Sequence, residues 1–253
     1  MKHTVSVPEG WDIGGNTNGG VLMMLALEPM AAACQRDCAL SLTGHFLRPV
    51  SFGEAEVVTE IIKEGRMLAT VGAEMQFNGK PALRLLGAFG DKPEAEGLAR
   101  FAASGPPALP PLSECRQATV PPMASPFFRK VEIRTDPAAK FFLSGEPSGR
   151  GDYACWISPL PGTDTVALKD LPIMADGFPP PVFDLKLPVN WVPTVELTVH
   201  ARGVPAPGWL RARIRTRFVQ YGLLEEEVEL WDESDQLVCQ SRQLALVPRP
   251  RAG

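Results

Sequence analysis

The sequence of 253 residues lacks the features that several classes of protein need. It has three histidines and five cysteines, and the cysteines show no regular spacing. An odd, irregular set argues against a disulfide framework and favours free thiols in a reducing compartment. Cys34 and Cys38 are close in sequence, but no second Cys or His pair lies nearby to complete a zinc site. The sequence therefore predicts no metal site.

Basic runs and long apolar runs are also missing. The formal net charge is −4, which argues against non-specific nucleic-acid binding. The longest apolar stretch, residues 19–34, is too short for a bilayer span and contains Glu28 and Pro29. The N-terminus has no apolar segment of the kind found in signal peptides. We therefore expect a soluble, cytoplasmic protein that binds neither nucleic acid nor a membrane.

The sequence does have enough apolar residues for a folded core. Hydrophobic residues make up 45% and charged residues 21% of the chain, a composition typical of globular proteins. Several of the 26 prolines cluster within residues 91–126, which indicates a linker. We predict an N-terminal domain over 1–95, a Pro/Gly-rich linker over 96–126 and a C-terminal domain over 127–253.

Each side of the linker has a similar order of elements. Asn18 is a plausible N-cap for an apolar helix over Val21–Cys34, and Pro29 should kink this helix or end a first segment. The dipeptide Asn78-Gly79 indicates a hairpin. Strands are predicted over 2–7, 39–48, 54–63, 67–77 and 82–89 in the first half. In the second half they are predicted over 128–135, 152–158, 194–202, 209–219, 222–231 and 237–247, with an apolar block over 166–176.

The two halves can be aligned on each other. Leu42-Thr43-x-His45 matches Leu197-Thr198-x-His200 at an offset of 155 residues. The shared order of a helix and four strands indicates an internal duplication, in which each half is too small to bury its sheet alone. We therefore predict an α+β fold with two antiparallel sheets, each wrapped around a central helix and joined edge to edge.

Several short segments carry a family resemblance. They are Asn18-Gly19-Gly20, Phe46-Leu47-Arg48-Pro49, Ala175-Asp176-Gly177-Phe178-Pro179-Pro180, the segment from Val192 to His200, Trp231-Asp232, and the segment from Ser241 to Ala245. In this order and spacing they resemble the acyl-CoA thioesterase II and TesB-like thioesterases, which have a double-hotdog fold. The resemblance implies hydrolysis of an acyl-CoA to free acid and CoA. It implies no cofactor, because CoA is part of the substrate.

The resemblance also implies a catalytic trio. In the family, an Asp on the second helix, a Thr at the start of the next strand and a Gln on the last strand activate a water. Asp176, Thr194 and Gln243 match these positions. The equivalent first-half positions of Thr194 and Gln243 are roughly Ala39 and Leu86, which implies one active site per chain.

The chemistry of these residue types suits thioester hydrolysis. A carboxylate can accept a proton from the attacking water, and an apolar neighbourhood should raise the pKa of Asp176. The hydroxyl of Thr194 and the amide of Gln243 can both donate and accept hydrogen bonds. We expect Asn18, Gly19 and Gly20, at the start of the first helix, to bind substrate and meet the oxyanion through backbone N–H groups.

Other interpretations remain open. The chain could be a non-catalytic acyl-CoA-binding protein on a hotdog frame. It could also be a hotdog hydratase or dehydratase, although neither predicted helix contains the His that those enzymes use. Glu225–Glu227 are predicted to form a solvated face. A homodimer is expected, because hotdog proteins commonly dimerise.

Overall fold

A computed structural model describes residues 1–92, 101–118, 125–140, 142, 145–189 and 191–247. The first half consists of β1 (Lys2–Val7), β2 (Asp12–Ile13), β3 (Asn16–Thr17), α1 (Gly19–Cys34), β4 (Cys38–Phe46), β5 (Gly53–Glu64), β6 (Ala69–Phe77) and β7 (Lys80–Gly90). The rest contains β8 (Arg116–Gln117), β9 (Ile133–Thr135), β10 (Asp152–Ile157), α2 (Leu171–Ala175), β11 (Thr194–Ala201), β12 (Leu210–Arg215), β13 (Val219–Gln220), β14 (Leu223–Trp231) and β15 (Leu237–Leu246).

One antiparallel sheet runs through both halves, in the order β1-β5-β6-β7-β4-β11-β15-β14-β12-β10-β9-β8. The halves join where β4 pairs with β11, which confirms the predicted edge-to-edge junction. Thr43 lies opposite Thr198, and their Oγ1 atoms are 2.9 Å apart. These two threonines are equivalent in the sequence repeat, so their contact marks the pseudo-twofold axis between the halves.

The buried helix α1 fills the first half. Its N-cap is Asn18, as predicted, and the Asn18 side chain accepts a hydrogen bond from the Val21 N–H. The helix continues through Pro29 to Cys34, so the prediction that Pro29 could end a first segment is wrong. Met23 and Met30 are fully buried. Burial of nearly every side of the helix therefore outweighs the backbone hydrogen bond that Pro29 removes.

In the first half only β5, β6 and β7 form a meander, because β4 pairs with β7 and β1 pairs with β5. The hairpin at Asn78-Gly79 is confirmed, because both residues have positive φ, at 51° and 70°, and Phe77 lies opposite Lys80. Two consecutive positive φ angles are typical of a type I′ turn, whose twist matches that of the flanking strands. The turn sets the pairing of Gln76 and Phe77, and a register shift between Met75 and Gln76 changes it along the rest of the strands.

The second half departs from the prediction in four places. The predicted strand over 209–219 is divided into β12 and the separate short strand β13. Residues 128–135 form only a short strand, β9, because a 3₁₀ turn occupies Pro126–Arg129. The apolar block over 166–176 yields a helix of five residues, since prolines and Gly177 follow it closely. Within the predicted linker, Arg116–Gln117 add strand β8 to the sheet edge. The domain boundaries themselves stay a prediction.

The short helix α2 lies between α1 and the sheet of the second half. It contacts α1 on one side and β11, β14 and β15 on the other. The helices approach closely at Gly20, where an added Cβ would lie 2.2 Å from the Pro172 carbonyl oxygen. A glycine is required there because any side chain would meet fixed backbone. Among the described residues, no helix is long and apolar enough to cross a membrane.

Candidate active site

Asp176 lies at the C-terminal end of α2 and faces the first turn of α1. Its Oδ2 accepts hydrogen bonds from the Gly20 N–H at 3.0 Å and from Asn18 Nδ2 at 2.8 Å. The Asp176 carbonyl oxygen accepts a second bond from Asn18 Nδ2 at 2.9 Å. The carboxylate contributed by the second half is therefore fixed by donors from the first half.

Asn18 connects the two halves through both ends of its amide. Its Oδ1 caps α1 by accepting from the Val21 N–H at 3.1 Å, while its Nδ2 donates to Asp176. The side chain is buried, with 4% exposure. An Asp at this position could cap the helix but could not donate to Asp176. An Asn suits this position because the site needs an acceptor and a donor in one side chain.

The surroundings of Asp176 make it a stronger base than an ordinary aspartate. Burial raises the pKa of its carboxyl to about 6, although hydrogen bonds from Gly20, Gly19 and Asn18 work in the opposite direction. Desolvation penalises the charged form, and donors to the carboxylate favour it. The group is therefore ionised at neutral pH and has a pKa close to the working pH, which is favourable for general-base catalysis.

The N-terminal amides of α1 bind a different group from the one that the sequence predicted. We expected the Gly19 and Gly20 amides to meet a substrate oxyanion, but the Gly20 N–H donates to Asp176. The physical reason is that the positive end of the α1 dipole attracts the nearest anion, and that anion is the Asp176 carboxylate. An added Cβ at Gly19 would lie 3.1 Å from Asp176 Oδ2 and 2.7 Å from the Phe46 ring. Only glycine therefore fits at this position beside the carboxylate.

Thr194 and Gln243 lie on the neighbouring strands β11 and β15. Thr194 pairs with Ala245, and Gln243 pairs with Leu197. Residues 243 and 245 are on the same face of β15, so Thr194 and Gln243 are diagonal neighbours on the face that α2 covers. Gln243 is only 6% exposed, so it does not face solvent. Among the described residues, neither side chain hydrogen-bonds directly to Asp176.

A second buried carboxyl was missed by the sequence reading. Glu226 lies on β14 directly opposite Gln243 and is 5% exposed. Glu225 and Glu227 are on the other face, where they pair with Arg217. The prediction of one solvated face over Glu225–Glu227 is therefore wrong. Strand alternation was the available signal, since the inward positions 224, 228 and 230 are all apolar.

The strand register corrects the equivalent positions in the first half. Ala39 pairs with Phe89 as Thr194 pairs with Ala245, so Ala39 is the equivalent of Thr194. The assignment of Leu86 is wrong: Leu86 is 50% exposed. The residue that pairs with Leu42, as Gln243 pairs with Leu197, is Gly87.

The same register gives Glu226 a first-half equivalent. Val71 pairs with Gly87 as Glu226 pairs with Gln243, and Val71 is fully buried. The first half therefore has small or apolar residues at all three positions. The polar set is confined to the second half of the sheet.

Comparison with known proteins gives the same two-part organisation. The model of the acyl-CoA thioesterase N-terminal domain matches residues 7–90, and that of the acyl-CoA thioesterase C-terminal domain matches residues 104–247. An uncharacterized protein of Mycobacterium tuberculosis is 26% identical over 95% of this chain and 89% of its own length. Its similarity covers both matched domains.

Solved structures of similar proteins have the same fold. A protein from Thermobifida fusca that is assigned as a thioesterase II is 32% identical, with a TM-score of 0.87 over 98% of this chain and 92% of its own. A hot dog protein of unknown function from Alicyclobacillus acidocaldarius has a TM-score of 0.84 at 19% identity, covering 98% and 94% of the two chains. The predicted α+β double-hotdog fold is confirmed, and the chain belongs to the acyl-CoA thioesterase family.

Proposed function

We propose that this protein hydrolyses an acyl-CoA thioester to a free acid and CoA, with a water activated by Asp176, Thr194 and Gln243. The observation that carries the proposal is the state of Asp176. Its carboxylate is fixed by Asn18 and Gly20 while its pKa is raised to about 6. A fixed carboxylate with a raised pKa is suited to accept a proton from water at neutral pH.

The proposed reaction needs no cofactor. Asp176 accepts a proton from the water as the water oxygen attacks the thioester carbon. The resulting tetrahedral intermediate collapses, the C–S bond breaks, and the proton held by Asp176 returns to the departing sulfur. Thr194 and Gln243 hold the water by hydrogen bonds, because a hydroxyl and an amide can each donate and accept.

Asn18, Gly19 and Gly20 have a first role in holding Asp176 rather than the substrate. Asn18 Nδ2 and the Gly20 N–H both donate hydrogen bonds to the Asp176 carboxylate. We propose that the substrate carbonyl approaches the same helix start. The positive end of α1 then stabilises the negative charge as it develops on the carbonyl oxygen.

The raised pKa of Asp176 predicts an acid limit of activity. Below pH 6 the carboxyl is protonated and cannot accept a proton from water, so kcat/KM should fall about tenfold per pH unit. Above pH 6 this group is ionised and no longer limits the rate. A pH–rate profile of the purified protein measures the midpoint. A midpoint near 4, the ordinary value for Asp, would contradict the role of Asp176.

A panel of acyl-CoAs with a thiol-reactive dye tests the proposed activity. The proposal predicts continuous release of free CoA by the wild-type protein. We expect Gln243→Leu to lower kcat by about 10- to 100-fold with little change in fold, because the water loses one contact that fixes its position. Glu227→Gln, on the outer face of the sheet, serves as the matched control and should retain activity. Binding of acyl-CoA without release would instead indicate a non-catalytic binding protein.

We also propose a homodimer in solution. This expectation comes from the hotdog family, in which dimers are common, and it is tested by sedimentation equilibrium across a range of protein concentrations. A monomer at every concentration would contradict it.

A further inference from the structure

Glu226 is a buried carboxyl, and one of its oxygens has no hydrogen-bond partner among the described residues. It is 5% exposed, and within the part of the chain that the structure describes its Oε2 has no donor or acceptor in reach. Burying a polar group without a hydrogen bond costs free energy. Such a group in a native fold requires a reason, and its surroundings supply one.

The groups around Glu226 belong to the proposed active site. Gln243 lies directly opposite it on β15, and α2, which ends at Asp176, packs against both strands. Glu226 interacts electrostatically with three titratable groups: Asp176, Glu225 on its own strand and Tyr153 on β10. The Tyr153 O–H donates to the Pro179 carbonyl oxygen at 2.6 Å. No positive charge balances Glu226 from these elements.

The two carboxyls have unequal surroundings. Asp176 accepts hydrogen bonds from Asn18 and Gly20, whereas Oε2 of Glu226 has no partner in the described part of the chain. Burial and the nearby charge of Asp176 raise the pKa of Glu226 to about 8, above the value of about 6 for Asp176. Like charges in one enclosed site cannot both form easily. Of these two carboxyls, Asp176 therefore carries the negative charge at neutral pH.

The first half shows that the fold itself does not need a carboxyl at this position. Val71, the structural equivalent of Glu226, is fully buried and apolar. A valine or leucine would fill the same space without the cost of desolvating a carboxyl. The carboxyl occurs only in the half that holds Asp176, Thr194 and Gln243, which favours a role in that site.

We propose that Glu226 is a further positioning residue of this site: an acid that keeps its proton at neutral pH, leaves the negative charge on Asp176, and stops hydrolysis when it ionises. This role rests on the proposed thioesterase function. A second negative charge beside Asp176 would repel the charge that develops as water attacks. The Glu226 O–H is also free to donate to the water held near Gln243.

The variant Glu226→Gln tests this role because it keeps the size of the side chain and a donor but cannot ionise. The wild-type protein should lose activity above pH 8, falling to about one-tenth at pH 9, as expected for one group with that pKa. The Glu226→Gln variant should keep its activity at pH 9 and still show the acid limit near pH 6. The control Glu227→Gln, one residue away on the opposite face, should show the wild-type profile.

Infrared spectroscopy provides a readout that does not depend on turnover. A protonated carboxyl has its own C=O absorption. The difference spectrum of the wild-type protein minus Glu226→Gln should contain this absorption at pH 7 and lose most of it by pH 9. An alkaline fall that persists in Glu226→Gln, or an ionised Glu226 at pH 7, would overturn the inference. Absence of CoA release by a wild-type protein that shows this absorption would instead overturn the proposed function, and with it the role of Glu226 in hydrolysis.

Discussion

The variant Asp176→Asn should release CoA from its best acyl-CoA substrate about 10³-fold more slowly than the wild-type protein, within the range expected for loss of a general base. Asn has the same shape, and its Oδ1 can still accept from the Gly20 N–H and from Asn18 Nδ2. It cannot accept a proton from water. The loss should therefore appear in kcat, while KM changes little.

The stability of this variant is the internal control. The folded-state pKa of Asp176 is raised to about 6 from an ordinary value near 3.8. The folded protein therefore binds this proton more tightly than the unfolded chain, and stability falls as pH rises from about 4 to about 6. Above pH 6 that penalty is fully present, so Asp176→Asn should melt at an equal or higher temperature at pH 8. A marked loss of stability at pH 8, or unchanged kcat in a folded variant, would contradict the account.

The variant Gly20→Ala should lose stability and activity together. Its Cβ would lie 2.2 Å from the Pro172 carbonyl oxygen, and further contacts below 3 Å involve the backbone of α2. Backbone cannot rotate away as a side chain can, so α1 and α2 must separate. We expect a loss of about 3 kcal/mol in the free energy of unfolding, at the upper end of overpacking effects. The same movement withdraws the Gly20 N–H from Asp176.

Denaturant unfolding and CoA release measure the two effects of Gly20→Ala. Gly105→Ala is the matched control, because an added Cβ there meets nothing within 4 Å. It should change neither property. If Gly20→Ala unfolds at the wild-type denaturant concentration and releases CoA at the wild-type rate, then the close contact between α1 and α2 does not position the carboxylate.

The sequence predicted the main secondary-structure elements well, because turns and helix caps are specified by short local motifs. Asn78-Gly79 adopts the positive φ angles of the predicted hairpin, and Asn18 caps the predicted helix. The repeat around Thr43 and Thr198 predicted two similar halves, and these two residues pair at the junction. Turn chemistry and capping depend on a few neighbouring residues, so they can be recognised before the fold is known.

The site was harder to predict because it depends on long-range contacts. The engagement of the Gly20 amide by Asp176 joins residues 156 positions apart, and no local pattern indicates it. Leu86 was assigned in place of Gly87 because a one-residue difference in loop length changes the offset between the halves. Such a slip moves a side chain to the opposite face of a strand. Glu226 was missed because both of its sequence neighbours are glutamates, and these lie on the other face of the sheet.

A single-turnover experiment measures the role of Asp176 in the chemical step, because it separates that step from product release. Excess protein is mixed with acyl-CoA, quenched over time, and assayed for CoA and free acid in the wild-type protein and in Asp176→Asn. We expect the wild-type protein to convert its bound acyl-CoA to equal amounts of CoA and acid, while Asp176→Asn binds the substrate and converts it about 10³-fold more slowly. Conversion at the same rate in both proteins would contradict the claim that Asp176 activates the water.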